Sequence, residues 1–269
     1  MGTYLSIMLL EALTTAAMPA RTPSDRRAKR MGFLYESIAI SARYSRNFRK
    51  WRPHLQACKK HIADSISMVP ATGRIVILGS GAWHDMPVSK LARHGAQIDL
   101  VDIVHLPLAR MKAKLHSNFN LIEADLTGYA EAYDKWDGRA DSLPEPPAVA
   151  PFSIERADLV ISLNILSQLP IAFTASPPAS EAEARLASAL QWAHLDALGK
   201  VKGRVLLISD HHRTEITSKE IHEIPTVQKS LLPDNMVDSW AWHIAPLGEV
   251  DRDTDIKLRV GVWKDFNIK

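Results

Sequence analysis

The chain has 269 residues, a length that suits one large domain or one domain with an extension. Its 46% hydrophobic content is ample for a packed core, and a net charge of +3 with 23% charged residues singles out no polyanionic partner. A single cysteine, Cys58, excludes an internal disulfide framework and a cysteine-based zinc cluster, and it fits a cytoplasmic location.

Near the start, an apolar run from Tyr4 to Leu10 has no basic residue before it and is interrupted by Glu11. Both features count against a secretory signal, and no stretch reaches membrane-spanning length, so no membrane partner is expected. Five basic residues fall between 21 and 30. Residues 1–32 are expected to form a poorly ordered leader or an amphipathic extension. From 33 to 70 the pattern is helical, with Leu34, Ile38, Ile40 and Tyr44 at near-helical spacing. A second helix over about 54–68 carries Leu55, Ile62 and Ile66 toward a core. Arg43, Arg46, Arg49, Lys50 and Arg52 surround Tyr44 and Trp51. They form either a lid for an anionic or flat substrate, or a solvated face over core aromatics.

The strand–helix rhythm begins at residue 73. The run 75–78 (IVIL) suits a strand buried on both faces, and it ends at Gly79-Ser80-Gly81. A helical segment with Val88 and Leu91 follows, then a second run, 98–101, that stops at Asp102. Strand, glycine turn, helix, strand and acid is the βαβ arrangement that holds an adenosine-containing cofactor. Pro107 opens another helix at a position where its missing N–H costs little. A third strand over 120–124 ends at Asp125, and a short helix is expected over 128–136. Residues 141–152 hold four prolines and read as an insertion inside the domain. ADLVISL, 157–163, is a fourth strand. Ser180 with Glu183 opens a long helix by a capping box, and Gly199 closes it. A fifth strand, 204–209, is expected to end at Asp210-His211-His212, with a helix from near Ser218 weakened by Pro225. Alternating runs at 240–244 and 256–262 read as an antiparallel pair at one edge of the sheet.

Over residues 73–264 the chain resembles the class I methyltransferases, which use S-adenosylmethionine. ILGSGAW is similar to the family's first motif, LVDIVH to the second, IEADLTG to the third and ADLVISLNILSQLP to the fourth. The resemblance implies a Rossmann-like three-layer α/β sandwich with a seven-stranded, mostly parallel sheet and an antiparallel terminal pair. It implies S-adenosyl-L-methionine as cofactor, held by Gly79, Ser80, Gly81, Asp102, Ile103, Asp125, Leu126 and Asn164. Asp102 would take the ribose, Asp125 or Leu126 would lie along the adenine edge, and Asn164 would stand beside the methyl donor. Two departures matter. Trp83 replaces the third glycine of G-x-G-x-G, where it would shift or cover the methionine end of the cofactor. The fourth motif also lacks the Asn-Pro-Pro-Tyr of amino-group methylases of bases. His84 stands where a dinucleotide fold would need its third glycine, which disfavours a nicotinamide cofactor.

Methyl transfer from a sulfonium rests on positioning and desolvation, with a base for some acceptors. Candidates for catalysis are Asn164 and Gln168 after the fourth strand and His211 after the fifth, with Ser167, Asp210 and His212 beside them. Asp85 either orients a ligand with His84 or caps the next helix, and Trp240 and Trp242 share one strand face as packing or as a substrate cage. The spacing of His84, His105, His211, His212 and His222 matches no metal-ligand pattern, so no metal is expected. The expected function is methyl transfer to a small molecule. An inactive methyltransferase-like scaffold that binds cofactor or a protein is the alternative, resting on Trp83.

Overall fold

The computed structural model describes residues 11–19, 23–138, 143–147 and 154–265. Residues 11–17 are helical (α1), followed by α2 (Pro23–Arg30) and α3 (Phe33–Ile66). The alternating part comprises β1 (Arg74–Leu78), α4 (Val88–Arg93), β2 (Gln97–Asp102), α5 (Pro107–Ala113), β3 (Phe119–Glu123), α6 (Ala130–Asp134), β4 (Leu159–Leu163), α7 (Glu181–Gly199) and β5 (Arg204–Ile216). It ends with β6 (Ile221–Pro225), β7 (Met236–Ala245) and β8 (Asp255–Lys264). Of the proline-rich 141–152, only 143–147 lie among the described residues, without regular structure.

The sheet runs β3-β2-β1-β4-β5-β8-β7. The five strands from β3 to β5 pair in parallel, and β8 pairs antiparallel with both β5 and β7. Strands bury alternate residues on opposite faces, and two cores follow from that period of two. Ile75, Ile77, Ile161 and Val260 face Trp51, Leu55 and Ile62 of α3 and Leu91 of α4. Val76, Leu78, Val160 and Leu207 face Leu195 and Leu198 of α7. The result is a Rossmann-like three-layer sandwich. The strand order reverses between β1 and β4, which opens a crevice at the carboxyl ends of those strands.

Two expectations about the strands need correction. β5 does not stop at Ser209; it continues to Ile216. A bulge places both Asp210 and His211 against Val260, so that pairing resumes at His212 with Arg259. The segment expected to be a helix from Ser218 is strand β6, antiparallel to residues 212–216 of β5. Beyond Ile208 the β4 side of β5 is vacant, and β6 fills it with backbone hydrogen bonds. An eighth strand thereby joins the seven expected.

The two N-terminal helices expected here are one helix, α3, with a kink at Asn47 (φ −118°, ψ 19°). The Asn47 side chain supplies the cause, donating to the Arg43 carbonyl at 3.1 Å in competition with the helix ladder. On α7 the Ser180 hydroxyl accepts the Glu183 N–H, as a capping box requires. The Glu183 carboxylate instead accepts the N–H groups of Ala175 and Ala179, tying the preceding loop to the helix.

His194 of α7 is buried against β4, with Nε2 2.9 Å from Ser162 Oγ and no partner for Nδ1. Burial pushes its pKa down to about 4. The unfolded chain, at an ordinary 6.5, therefore binds a proton that the folded state refuses. The sign follows: stability is complete above pH 6.5 and falls as pH drops toward 4, by roughly 3 kcal/mol across that window. Urea unfolding at pH 7.5, 5.5 and 4.5 measures the fall, and His194→Gln should remove that share. An unchanged slope in the variant would assign the acid sensitivity elsewhere.

Candidate functional site

A cavity of about 980 Å3 opens at the crevice between β1 and β4, at the upper end of the range for small-molecule sites. The turn after β1 forms one wall. Gly79 and Gly81 have positive φ of 77° and 52°, and the N–H groups of Gly79 and Ser80 both donate to the Val101 carbonyl. A Cβ on Gly79 would lie 2.6 Å from the Ile165 Cβ, so the close approach of this turn to the end of β4 requires glycine. At the tip of β2, Asp102 Oδ2 accepts the Gly81 N–H at 2.7 Å, which locks the turn to the second strand. Burial raises the Asp102 pKa, and the Gly81 N–H works against that rise.

The structure brings together most of the residues singled out from sequence. Gly79, Ser80, Gly81, Asp102, Ile103, Asp125, Leu126, Asn164, Ser167, Gln168 and Asp210 all line the cavity. Asp125 is engaged there: it accepts the N–H and hydroxyl of Thr127 and the N–H of Ala130, closing the turn into α6. His211 is not among the lining residues. The bulge aims Asp210 at the cavity and sets His211 edge-on to Trp263 at 6.0 Å. His212 pairs with Glu223 of β6. Trp83, expected to crowd the cofactor, is buried in the core edge-on to Phe119 and does not line the cavity. Its left-handed backbone, φ 69°, accompanies that inward course.

Asp85 caps no helix. Its Oδ2 accepts from Asn164 Nδ2 at 2.8 Å, and Asn164, itself at φ 50°, stands at the end of β4. Around this pair gather His54 and Cys58 of α3, one helical turn apart, with Trp240 and Trp242 of β7. Trp242 stacks on His54 at 3.9 Å with the rings 3° from parallel, and it also lines the cavity. His84 stacks on Tyr44 at 3.7 Å. Burial pushes His54 down to about 3 and His84 to about 4, so both rings are neutral at pH 7. Burial likewise lifts the Cys58 thiol well above its ordinary value and Asp85 to about 6.

His54, Cys58 and Asp85 place ligand-type atoms within 4.8 Å of one another. The hydrogen bonds argue against a metal. Trp240 Nε1 donates to His54 Nδ1 at 3.1 Å, which puts the proton of the neutral ring on Nε2. Nε2 is the nitrogen nearer Cys58, and a metal bound there would need it bare. This cluster was missed in the sequence because its members lie 79 and 110 residues apart. The only local signal is the i, i+4 spacing of His54 and Cys58 on the buried face of α3.

Two members of the basic cluster of α3 are held in ion pairs. Arg43 and Arg46 both pair with Glu249 between β7 and β8, and Arg46 also reaches Glu11. These pairs fasten α3 across the cavity, which residues Ile40, Arg43, Trp51 and His54 help to line.

No family model matches the chain, and no curated protein does. Solved structures similar in fold include a SAM dependent methyltransferase from Aquifex aeolicus, at 9% identity over 75% of this chain and 88% of that one, with a TM-score of 0.37. The YcgJ protein from Bacillus subtilis is similar at 11% identity, 80% and 99% coverage and a TM-score of 0.44. A third is the 1,6-didemethyltoxoflavin-N1-methyltransferase of Burkholderia thailandensis, solved with 1,6-didemethyltoxoflavin and S-adenosylhomocysteine. Its identity is 12%, coverage 91% and 92%, and TM-score 0.42. At these values the fold assignment rests on the strand order and the site must be argued from its own geometry. Among the described residues, no helix is long and apolar enough to cross a membrane.

Proposed function

We propose that the protein transfers a methyl group from S-adenosylmethionine to a small molecule. One observation carries the proposal: at the crevice between β1 and β4, the glycine turn and the acid at the tip of β2 are hydrogen-bonded to each other on the wall of one large cavity. The residues fit the cofactor. The turn at Gly79–Gly81 lets a ligand lie against backbone, Asp102 offers a charged acceptor for ribose hydroxyls, and Ile103 and Leu126 offer apolar contact for adenine. With Asp125 committed to the α6 turn, the backbone of Leu126 is the better partner for the adenine edge. The bound cofactor supplies an already activated methyl group, so the chain's work is to orient the acceptor and exclude water. Asn164, Gln168 and Trp242 lie at the acceptor end in this reading. Gln168 Nε2 donates to the Asn164 carbonyl and braces that turn.

The scaffold alternative rested on Trp83, and with that ring packed in the core no observation favours it. Calorimetric titration with S-adenosylmethionine and S-adenosylhomocysteine tests the proposal. Micromolar binding of both is expected, and binding of neither refutes it.

A further inference from the structure

Acidic side chains outnumber basic ones on the wall of the cavity. Five carboxylates and two guanidinium groups line it. Both guanidinium groups are paired with glutamates outside the lining: Arg43 with Glu249, and Arg213 with Glu215. Of the carboxylates, Asp102 holds Gly81, Asp125 holds the α6 turn and Asp210 accepts from Ser167 at 2.5 Å. Asp85 differs from these because its Asn164 partner belongs to the acceptor end. It follows the glycine turn in the chain, and its carboxylate comes within 4.8 Å of His54, on which Trp242 stacks. A carboxylate has about four acceptor positions, so the Asn164 contact leaves room for a substrate donor.

We propose that the methyl acceptor is an arylalkylamine that enters as an ammonium ion, and that Asp85 is the base that takes its proton. The inference rests on the methyltransferase reading above and names its substrate class. An anionic acceptor would meet more carboxylates than guanidinium groups in a desolvated site, whereas a cation is drawn to them. The base is obligatory for such a substrate, because an ammonium nitrogen has no lone pair. Asp85 removes one N–H proton. The freed pair on nitrogen forms the new N–C bond as the C–S bond of the sulfonium breaks, and the electron pair of that bond stays on sulfur. The proton on Asp85 passes to water, and the products are an N-methylammonium ion and a neutral thioether. Neutral His54, stacked on Trp242, adds no positive charge that would repel the substrate.

Around Asp85, Lys59 of α3 favours the charged form and Asp102 of β2 opposes it, while buried His54 and Cys58 are uncharged at pH 7. With burial the dominant influence, Asp85 is ionised at pH 7 and loses its charge as pH falls through about 6.

The test uses a matched pair of probes with opposite charge, tryptamine and indole-3-acetate. Each is titrated by calorimetry into the protein saturated with S-adenosylhomocysteine, and into the protein alone. Tryptamine should bind, indole-3-acetate should bind at least tenfold more weakly, and tryptamine affinity should drop as pH falls from 7.5 to 5. Asp85→Asn keeps the shape and an acceptor oxygen for Asn164, and should lower tryptamine affinity at least tenfold with an unchanged melting temperature. Should Asp85→Asn unfold, the pH series on the parent protein decides. The proposal is overturned by equal or tighter binding of the acid, by an unaltered affinity in Asp85→Asn, or by binding of neither probe. Failure to bind S-adenosylhomocysteine would instead defeat the methyltransferase reading, and the amine preference of the protein alone would still be read separately.

Discussion

Asp102→Ala is expected to weaken binding of S-adenosylhomocysteine by at least about a hundredfold while leaving the fold intact. Two hydrogen bonds from ribose hydroxyls to a charged acceptor are worth about 1.5–3 kcal/mol each, and about 1.4 kcal/mol is a factor of ten. The carboxylate also holds the Gly81 N–H at 2.7 Å, so its removal frees the turn that the proposed cofactor would lie against. Stability should move the other way or stay level. Burial raises the Asp102 pKa, which means the folded chain bears a cost to keep that charge, and alanine relieves it. Calorimetry gives the affinity and a thermal melt gives the stability. Asp102→Asn, which keeps one acceptor oxygen, should fall between the parent and alanine. An alanine variant that binds as tightly as the parent would show that the acid at the tip of β2 does not hold the ribose.

Asp102 was legible in the sequence for a local reason. β1, β2 and β4 are buried on both faces, so they read as largely apolar runs, broken in β2 by Asp99, which pairs with Arg74, and in β4 by Ser162, and their ends mark the mouth of the crevice. The same rule failed at β5. Its second half, His211–Ile216, is partly exposed and polar, and it is a strand because β6 and β8 pair with it on both sides, a fact that lies in no window of the local sequence. β6 was misread for a related reason: IHEIP is short and mostly exposed, so neither apolar period is diagnostic. At the site, the glycine turn could be read because its residues are consecutive. The Asp85–Asn164 pair and its ring of His54, Cys58, Trp240 and Trp242 could not, since the contacts join α3, the segment before α4, the end of β4 and β7. Trp83 shows a third limit. Its identity was visible, but its direction depends on a left-handed backbone that turns the side chain inward to meet Phe119.

The two glycines of the turn separate strain from crowding, and they should differ sharply on substitution. Gly79→Ala is expected to cost about 2–5 kcal/mol. About 1–2 of that is the penalty of a side chain in the left-handed region, and about 1–3 is overpacking of a filled site. The new methyl would meet the Ile165 Cβ at 2.6 Å and the Leu163 carbonyl at 2.9 Å. Retreat is blocked on the other side, because the N–H groups of Gly79 and Ser80 are fastened to Val101 at 2.9 and 3.2 Å. A turn that did shift to make room would carry Gly81 away from Asp102 and degrade cofactor binding, so either route is visible. Gly81→Ala has the same left-handed requirement, yet a Cβ there meets nothing within 4 Å. It should cost only about 1–2 kcal/mol. Urea unfolding of both variants, with S-adenosylhomocysteine titrations of whichever remain folded, measures the difference. Ile165→Gly in the Gly79→Ala background removes the nearest clashing atom and should restore part of the loss, read as coupling in a double-mutant cycle. Equal costs at Gly79 and Gly81 would mean that the turn does not need its close approach to β4, and that conformation alone selects glycine at both positions.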